Sequence, residues 1–190
     1  MATTKWMAPA RRATVLLAMG FLVPLSACSS ETAAPAAQPE TGPLSLSSPA
    51  FQPQGLIPIN YSCAGANISP PLSWHGTAPS GTQGWAIVMQ DLDVTPAPWV
   101  QWSLTGIAEQ TRTVGAGQVP QNSVTNRASN GSVGFVGLCP PQGKAHNYQF
   151  TVFAMGRQVA IPAAATADQS LKAIQDAAVG SVTLTGRFAR

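Results

Sequence analysis

Residues 84–91 read GWAIVMQD, a continuous apolar run closed by polar residues, which predicts a central strand buried on both faces. Later segments alternate instead. In WVQWSLTGI, beginning at Trp99, a two-residue period puts Val100, Trp102 and Leu104 on one face and Trp99, Gln101, Ser103 and Thr105 on the other. In HNYQFTVFAM, His146, Tyr148, Phe150 and Val152 share a face, and in the closing SVTLTGRFA, Val182, Leu184 and Phe188 do so. One stretch has the helical period. Thr166 and Gln169 form a capping-box pattern, Leu171, Ile174 and Ala178 follow at helical spacing, and Gly180 stands where a C-terminal cap would. Between these elements lie NISPPLSWHG and GFVGLCPPQGKAH, dense in Pro and Gly and expected as long loops of the kind that carry function. The pattern predicts a mainly β fold with a helix at its periphery.

Composition supports short elements and many turns: 190 residues contain 17 Gly, 17 Pro and only 9 % charged residues, with 45 % hydrophobic content to fill a core. The N-terminus has its own grammar. Lys5, Arg11 and Arg12 precede an apolar run from Ala13 to Leu25 that contains Pro24 and is shorter than the ~20 residues of a bilayer span. This is the form of a signal peptide, and LSAC at Leu25–Cys28 resembles the lipobox of bacterial lipoproteins, whose Cys is diacylated (palmitate among the acyl groups) and becomes the first mature residue. An ordinary secretory signal is the alternative. Residues 1–27 are thus expected to be a lipoprotein signal peptide, 28–43 the lipidated Cys28 and a disordered tether, and 44–190 one folded domain. Burial of acyl chains contributes ~0.8 kcal/mol per CH₂, so two chains hold a protein on a membrane. The tether, SSETAAPAAQPETGP after Cys28, reaches ~50 Å when extended. The expected location is the extracytoplasmic face of the cell membrane, anchored by lipid.

Charge then changes meaning. The leader holds three of the ten Lys and Arg and none of the seven Asp and Glu, leaving seven against seven, a net charge of zero. A nucleic-acid partner, which needs a basic surface, is not expected. Two cysteines remain, Cys63 and Cys139. In an exported chain they most simply pair as a disulfide; separate buried thiols are the alternative, and a zinc site would have to enlist His75 and His146.

Motifs for catalysis are scarce. There is no G-x-S-x-G elbow, no H-E-x-x-H and no glycine loop followed by Lys-Ser/Thr. What remains is Asp91, Asp93, His146 and Tyr148. Residues two apart on an extended chain point the same way, so both aspartates can line one pocket as their strand ends, with His146 and Tyr148 from a neighbouring strand and Trp99 and prolines as walls. Such a cluster suits a small polar ligand held by hydrogen bonds. Asp-x-Asp at a strand end is also ordinary turn chemistry, a histidine on an apolar face is commonly a bonded core residue, and tryptophans there are commonly packing. A divalent metal on Asp91, Asp93 and His146 is the weakest alternative, because no further carboxylate or imidazole in the pattern completes its coordination.

The order of the pieces adds information. INYSCAGANISPPLSW, DLDVTPAPWVQW, GFVGLCPPQGKAHNYQFTVFAM and GSVTLTGRFAR together resemble the phosphatidylethanolamine-binding protein family, in its bacterial Raf-kinase-inhibitor-like branch, from about Phe51 to Arg190. The resemblance implies a large antiparallel sheet packed on a smaller one, one or two peripheral helices, and a small pocket for phosphate-like headgroups. It implies ligand contacts from Asp91, Asp93, Trp99, Gln101, Pro140, Pro141, His146 and Tyr148, with no catalytic residue, metal or cofactor. The partners it implies are a small anionic ligand or phospholipid headgroup, or a protein, since the family includes kinase and protease inhibitors. Trp102 matches the family frame as well. Val94 and Thr95 depart from the family's Ala-Pro, Leu138 from its first loop Pro, Asn147 from its Arg, and Gln101 from its His. A neutral amide replacing a histidine is expected to weaken anion affinity by about one to two kcal/mol.

Overall fold

A computed structural model describes residues 41–96 and 98–190. The expected signal peptide, Cys28 and most of the tether lie outside the described residues. Every element named below lies in one compact unit that ends at Arg190.

The elements run β1 (Ser45–Ser47), a 3-10 turn (Ile59–Tyr61), β2 (Leu72–His75), β3 (Gly84–Asp91), β4 (Trp99–Ala108), β5 (Thr113–Val114), β6 (Val124–Thr125), β7 (Ala145–Met155), α1 (Ala167–Ala177) and β8 (Ala178–Ala189). A five-stranded antiparallel sheet in the order β6-β4-β3-β7-β8 packs on a three-stranded one in the order β1-β2-β5. This is the expected mainly β architecture. Among the described residues no helix is long and apolar enough to cross a membrane.

Two apolar layers explain why β3 reads as an unbroken hydrophobic run. Trp85, Ile87 and Met89 face the layer between the sheets, with Leu72 and Trp74 of β2 and Tyr148, Phe150 and Val152 of β7. Ala86 and Val88 face the opposite layer, which Ile174 and Ala177 of α1 close. A strand with partners on both faces has no place for an alternating polar residue. On β7 and β8 the predicted faces are observed, with Leu184 and Phe188 buried and Val182 packed against them.

On β4 the predicted faces need correction. Met89 stands opposite Trp102 but Gln90 stands opposite Val100, so Gln101 is one residue too many. A bulge of this kind breaks the two-residue period. Trp102 and Leu104 face the layer between the sheets, whereas Val100 packs towards α1. A second shift, spanned by Gly106 with its positive φ of 75°, brings Ile107 into the same layer as Leu104.

The capping box forms as predicted. Gln169 N–H donates to Thr166 Oγ1 at 3.2 Å, and Thr166 N–H donates to Gln169 Oε1 at 2.9 Å. Gly180 is not the C-terminal cap. The chain turns extended at Ala178 and pairs at once with Met155, while Gly156 N–H satisfies the Ala177 carbonyl at 2.8 Å, so no left-handed residue is needed. The segment NISPPLSWHG is likewise only partly loop, because Leu72–His75 pair with β1 and β5.

Candidate functional site

The candidate residues gather where β3 ends beside the start of β7. Asp91 pairs with Tyr148 across the ladder and with Trp99 on its other side. Asp91 is only 2 % exposed. Its carboxylate accepts from His146 Nδ1 at 2.8 and 3.0 Å, and because an ionised carboxylate can only accept, that nitrogen carries the proton. Asp91 Oδ1 also accepts from the Asp93 N–H at 3.0 Å, so the Asp-x-Asp turn chemistry and the contact with His146 are both present in one side chain.

Asp93 faces elsewhere. Its Oδ2 accepts from the backbone N–H of Asn147 at 2.6 Å and from its side-chain amide at 2.9 Å, and it is exposed. Asn147, a departure from the family pattern, thus holds the second aspartate in place. Among the described residues no group of three or more His, Cys, Asp or Glu side chains could hold a metal ion.

Tyr148 is fully buried, and its ring stacks on His146 with centroids 6.4 Å apart. Its hydroxyl lies near the Asp91 carboxylate and the Cys139 backbone yet closes no well-formed hydrogen bond with either. Burial, and next the charge of Asp91, push this phenol far above its ordinary range, so it stays a protonated donor. Buried polar atoms are nearly always paired. Among the described residues the buried side-chain atoms without a well-formed bond are Tyr148 OH, Gln101 Oε1, Ser103 Oγ, Ser123 Oγ and Trp74 Nε1, and the first two belong to the predicted ligand set. Gln101, 6 % exposed, is the bulged residue of β4, and its carbonyl accepts from Val136 N–H at 3.1 Å.

The loop 136–141 is stapled in place. Cys63 N–H donates to Leu138 O at 3.1 Å, Leu138 N–H to Tyr61 O at 3.2 Å, and Gly137 N–H to Asn67 Oδ1 at 2.8 Å. A Cβ on Gly137 would stand 2.2 Å from that oxygen, which is why glycine occupies the position. Cys63 and Cys139 are joined as a disulfide. Pro140 is buried beside it and Pro141 is exposed.

A cleft of about 300 Å³ is lined by Val94, Pro96, Pro98, Trp99, Ser129 and Asp168 among others, and of the eight predicted ligand residues it includes only Trp99. Trp99 therefore walls a neighbouring cleft between the 94–98 loop and the start of α1. Sequence reasoning named Asn147 as a departure from the family pattern but not its hold on Asp93, and it missed Asn67 and Arg190, whose Nη1 lies 3.3 Å from Cys139 Sγ. Their roles depend on partners 51 to 70 positions away, a separation that no local pattern signals.

A sequence model described as phosphatidylethanolamine-binding protein matches residues 47–189. The chain belongs to that family. Among its relatives, a Mycobacterium tuberculosis protein named as a lipoprotein, LppC, is 38 % identical over 158 residues, covering 83 % of this chain and 76 % of the relative. A UPF0098 protein of Methanothermobacter thermautotrophicus is 32 % identical over 154 residues, covering 77 % of this chain and 99 % of the relative. The crystal structure of Escherichia coli YbcL, described as a new member of the mammalian PEBP family, superposes with a TM-score of 0.73 at 23 % identity, covering 77 % of this chain and 98 % of that one. The fold of this family member is thus that of its structural relative.

Proposed function

We propose that this protein is a lipid-anchored, extracytoplasmic binding protein whose pocket, formed around Asp91, Gln101, His146 and Tyr148, takes a phosphate-like headgroup without catalysis. The observation that carries the reading is the Tyr148 hydroxyl: a buried, protonated donor that closes no well-formed hydrogen bond, beside a buried carboxylate. Leaving such a group unpaired costs about 1–3 kcal/mol, a cost that a ligand oxygen would remove. His146 adds a cation when protonated, Gln101 an amide, and Asp91 an acceptor for an ammonium or a phosphate proton. The membership shown above and the LSAC motif, together with the name of the relative LppC, support the rest of the reading.

Calorimetric titration of inorganic phosphate and phosphoethanolamine into the purified protein and into Gln101→His tests the pocket. Saturable heat is expected for both proteins, with the variant tighter by about tenfold, as one to two kcal/mol requires. Equal affinities would remove Gln101 from the site, and the absence of heat with either ligand would overturn the headgroup reading. Intact mass of the membrane-extracted protein tests the anchor, where acyl chains on Cys28 are expected.

A further inference from the structure

We propose that the end of the domain bearing this pocket docks against an anionic phospholipid bilayer, an inference that rests on the lipid-anchor reading above. Three of the seven Lys and Arg that follow Cys28 converge there. Arg187 pairs across β8 with Asn147 at the start of β7. Lys144 follows Gly143, whose N–H donates to Arg190 O at 3.0 Å, and the Arg190 guanidinium lies 3.5 Å from Cys63 Sγ. All three are exposed.

Between these cations stand apolar side chains that the core does not use. Leu56, 77 % exposed, is bridged to Arg187, and its neighbour Ile57 takes the buried position, so Leu56 points outward. Ile59, 57 % exposed, opens the 3-10 turn whose end is bonded through Ser62, next to Cys63. Leu92, 38 % exposed, donates its N–H to Asn147 O at 2.9 Å.

Among the described residues the acidic groups at this end are Asp91, buried and paired with His146, and Asp93, bonded to Asn147. Asp168 lies on the β4 side, in the cleft with Trp99, away from the β8 edge that bears Arg187. Exposed apolar side chains near cations at one end of the sheet are the composition of an interfacial membrane contact, where each Lys or Arg is drawn to anionic lipid. A tether as expected from the sequence would permit this orientation, since ~50 Å of extended chain exceeds the ~40 Å diameter of a domain this size. With any face able to reach the bilayer, the surface chemistry decides which one settles.

The chain after Cys28 has two lysines, Lys144 on this end and Lys172 on α1, and they provide the test. The lipid-anchored protein is reconstituted into vesicles of phosphatidylcholine with about 30 % phosphatidylglycerol, and into phosphatidylcholine alone, then labelled with a membrane-impermeant amine-acylating reagent. Lys144 is expected to label at least about fivefold more slowly than in detergent micelles when the vesicles are anionic, with Lys172 unchanged and the protection weakened in phosphatidylcholine alone. Leu56→Asn combined with Arg187→Gln should abolish the protection while leaving phosphoethanolamine affinity intact.

Similar labelling of both lysines in anionic vesicles would overturn the proposal, as would protection indifferent to lipid charge. Protection that grows with protein concentration in micelles would assign the face to a second copy of the chain instead. If Cys28 proves unmodified by mass, the anchor reading fails on its own; co-sedimentation of the protein with the same two vesicles then reads docking directly, and equal recovery with both would overturn it.

Discussion

Trp85, near the start of β3, and Tyr148, paired with the last residue of that strand, are both fully buried aromatics carrying one polar atom. The Trp85 indole N–H donates to Glu109 O at 2.8 Å, and the Arg112 guanidinium lies 4.8 Å above its ring. The Tyr148 hydroxyl closes no bond so well formed and sits against a buried carboxylate. Trp74, whose ring centroid is 5.7 Å from that of Trp85, also has an unpaired N–H, but no buried carboxylate accompanies it. At one end of the sheet the Trp85 indole is paired by its own neighbours, and at the other a donor without a well-formed bond stands beside a buried charge, the arrangement on which the proposed ligand site rests.

The comparison breaks most visibly by truncation at the completed end. Trp85→Ala should cost about 3–5 kcal/mol, seen as a lower denaturant midpoint, while the folded fraction keeps its affinity for phosphoethanolamine. At the open end, part of the stability is covalent. Replacing Cys63 and Cys139 together by Ser should cost about 2–4 kcal/mol in the same measurement and, because Cys139 lies beside Tyr148, should weaken binding as well. An unchanged affinity there would separate the loop from the pocket.

A smaller effect appears with pH. Burial and the neighbouring Asp91 raise the Tyr148 phenol from its ordinary 10.0, so the folded protein retains a proton that the unfolded chain releases. Its contribution is complete below the unfolded value, near pH 10, and is lost progressively as pH rises from there towards the raised folded value. Tyr148→Phe should flatten this alkaline limb in thermal melts, while a variant with an unaltered limb would mean the phenol titrates normally.

Much of this was legible in the chain. Continuous burial wrote itself into GWAIVMQD, single-face burial into the alternation of β7 and β8, and the capping box into Thr166 and Gln169. The reading failed where backbone geometry departs from its period. The bulge at Gln101 moved Val100 to the opposite layer, and immediate strand pairing made a glycine cap at Gly180 unnecessary. For the candidate site, spacing correctly joined Asp91, His146 and Tyr148, since strands two residues in period bring them to one face. It could not tell that Asn147 would draw Asp93 aside or that Trp99 would line a different cleft, because both depend on how loops close in space.

Tyr148→Phe tests the distinction between the two ends most directly when stability and phosphoethanolamine affinity are measured on the same samples. Removing one unpaired buried hydroxyl should leave stability unchanged or raise it by up to about 1 kcal/mol, while affinity falls by about tenfold or more. A marked loss of stability with affinity intact would show that the hydroxyl serves the fold, as the Trp85 indole does, and would contradict a ligand site at the end of β3.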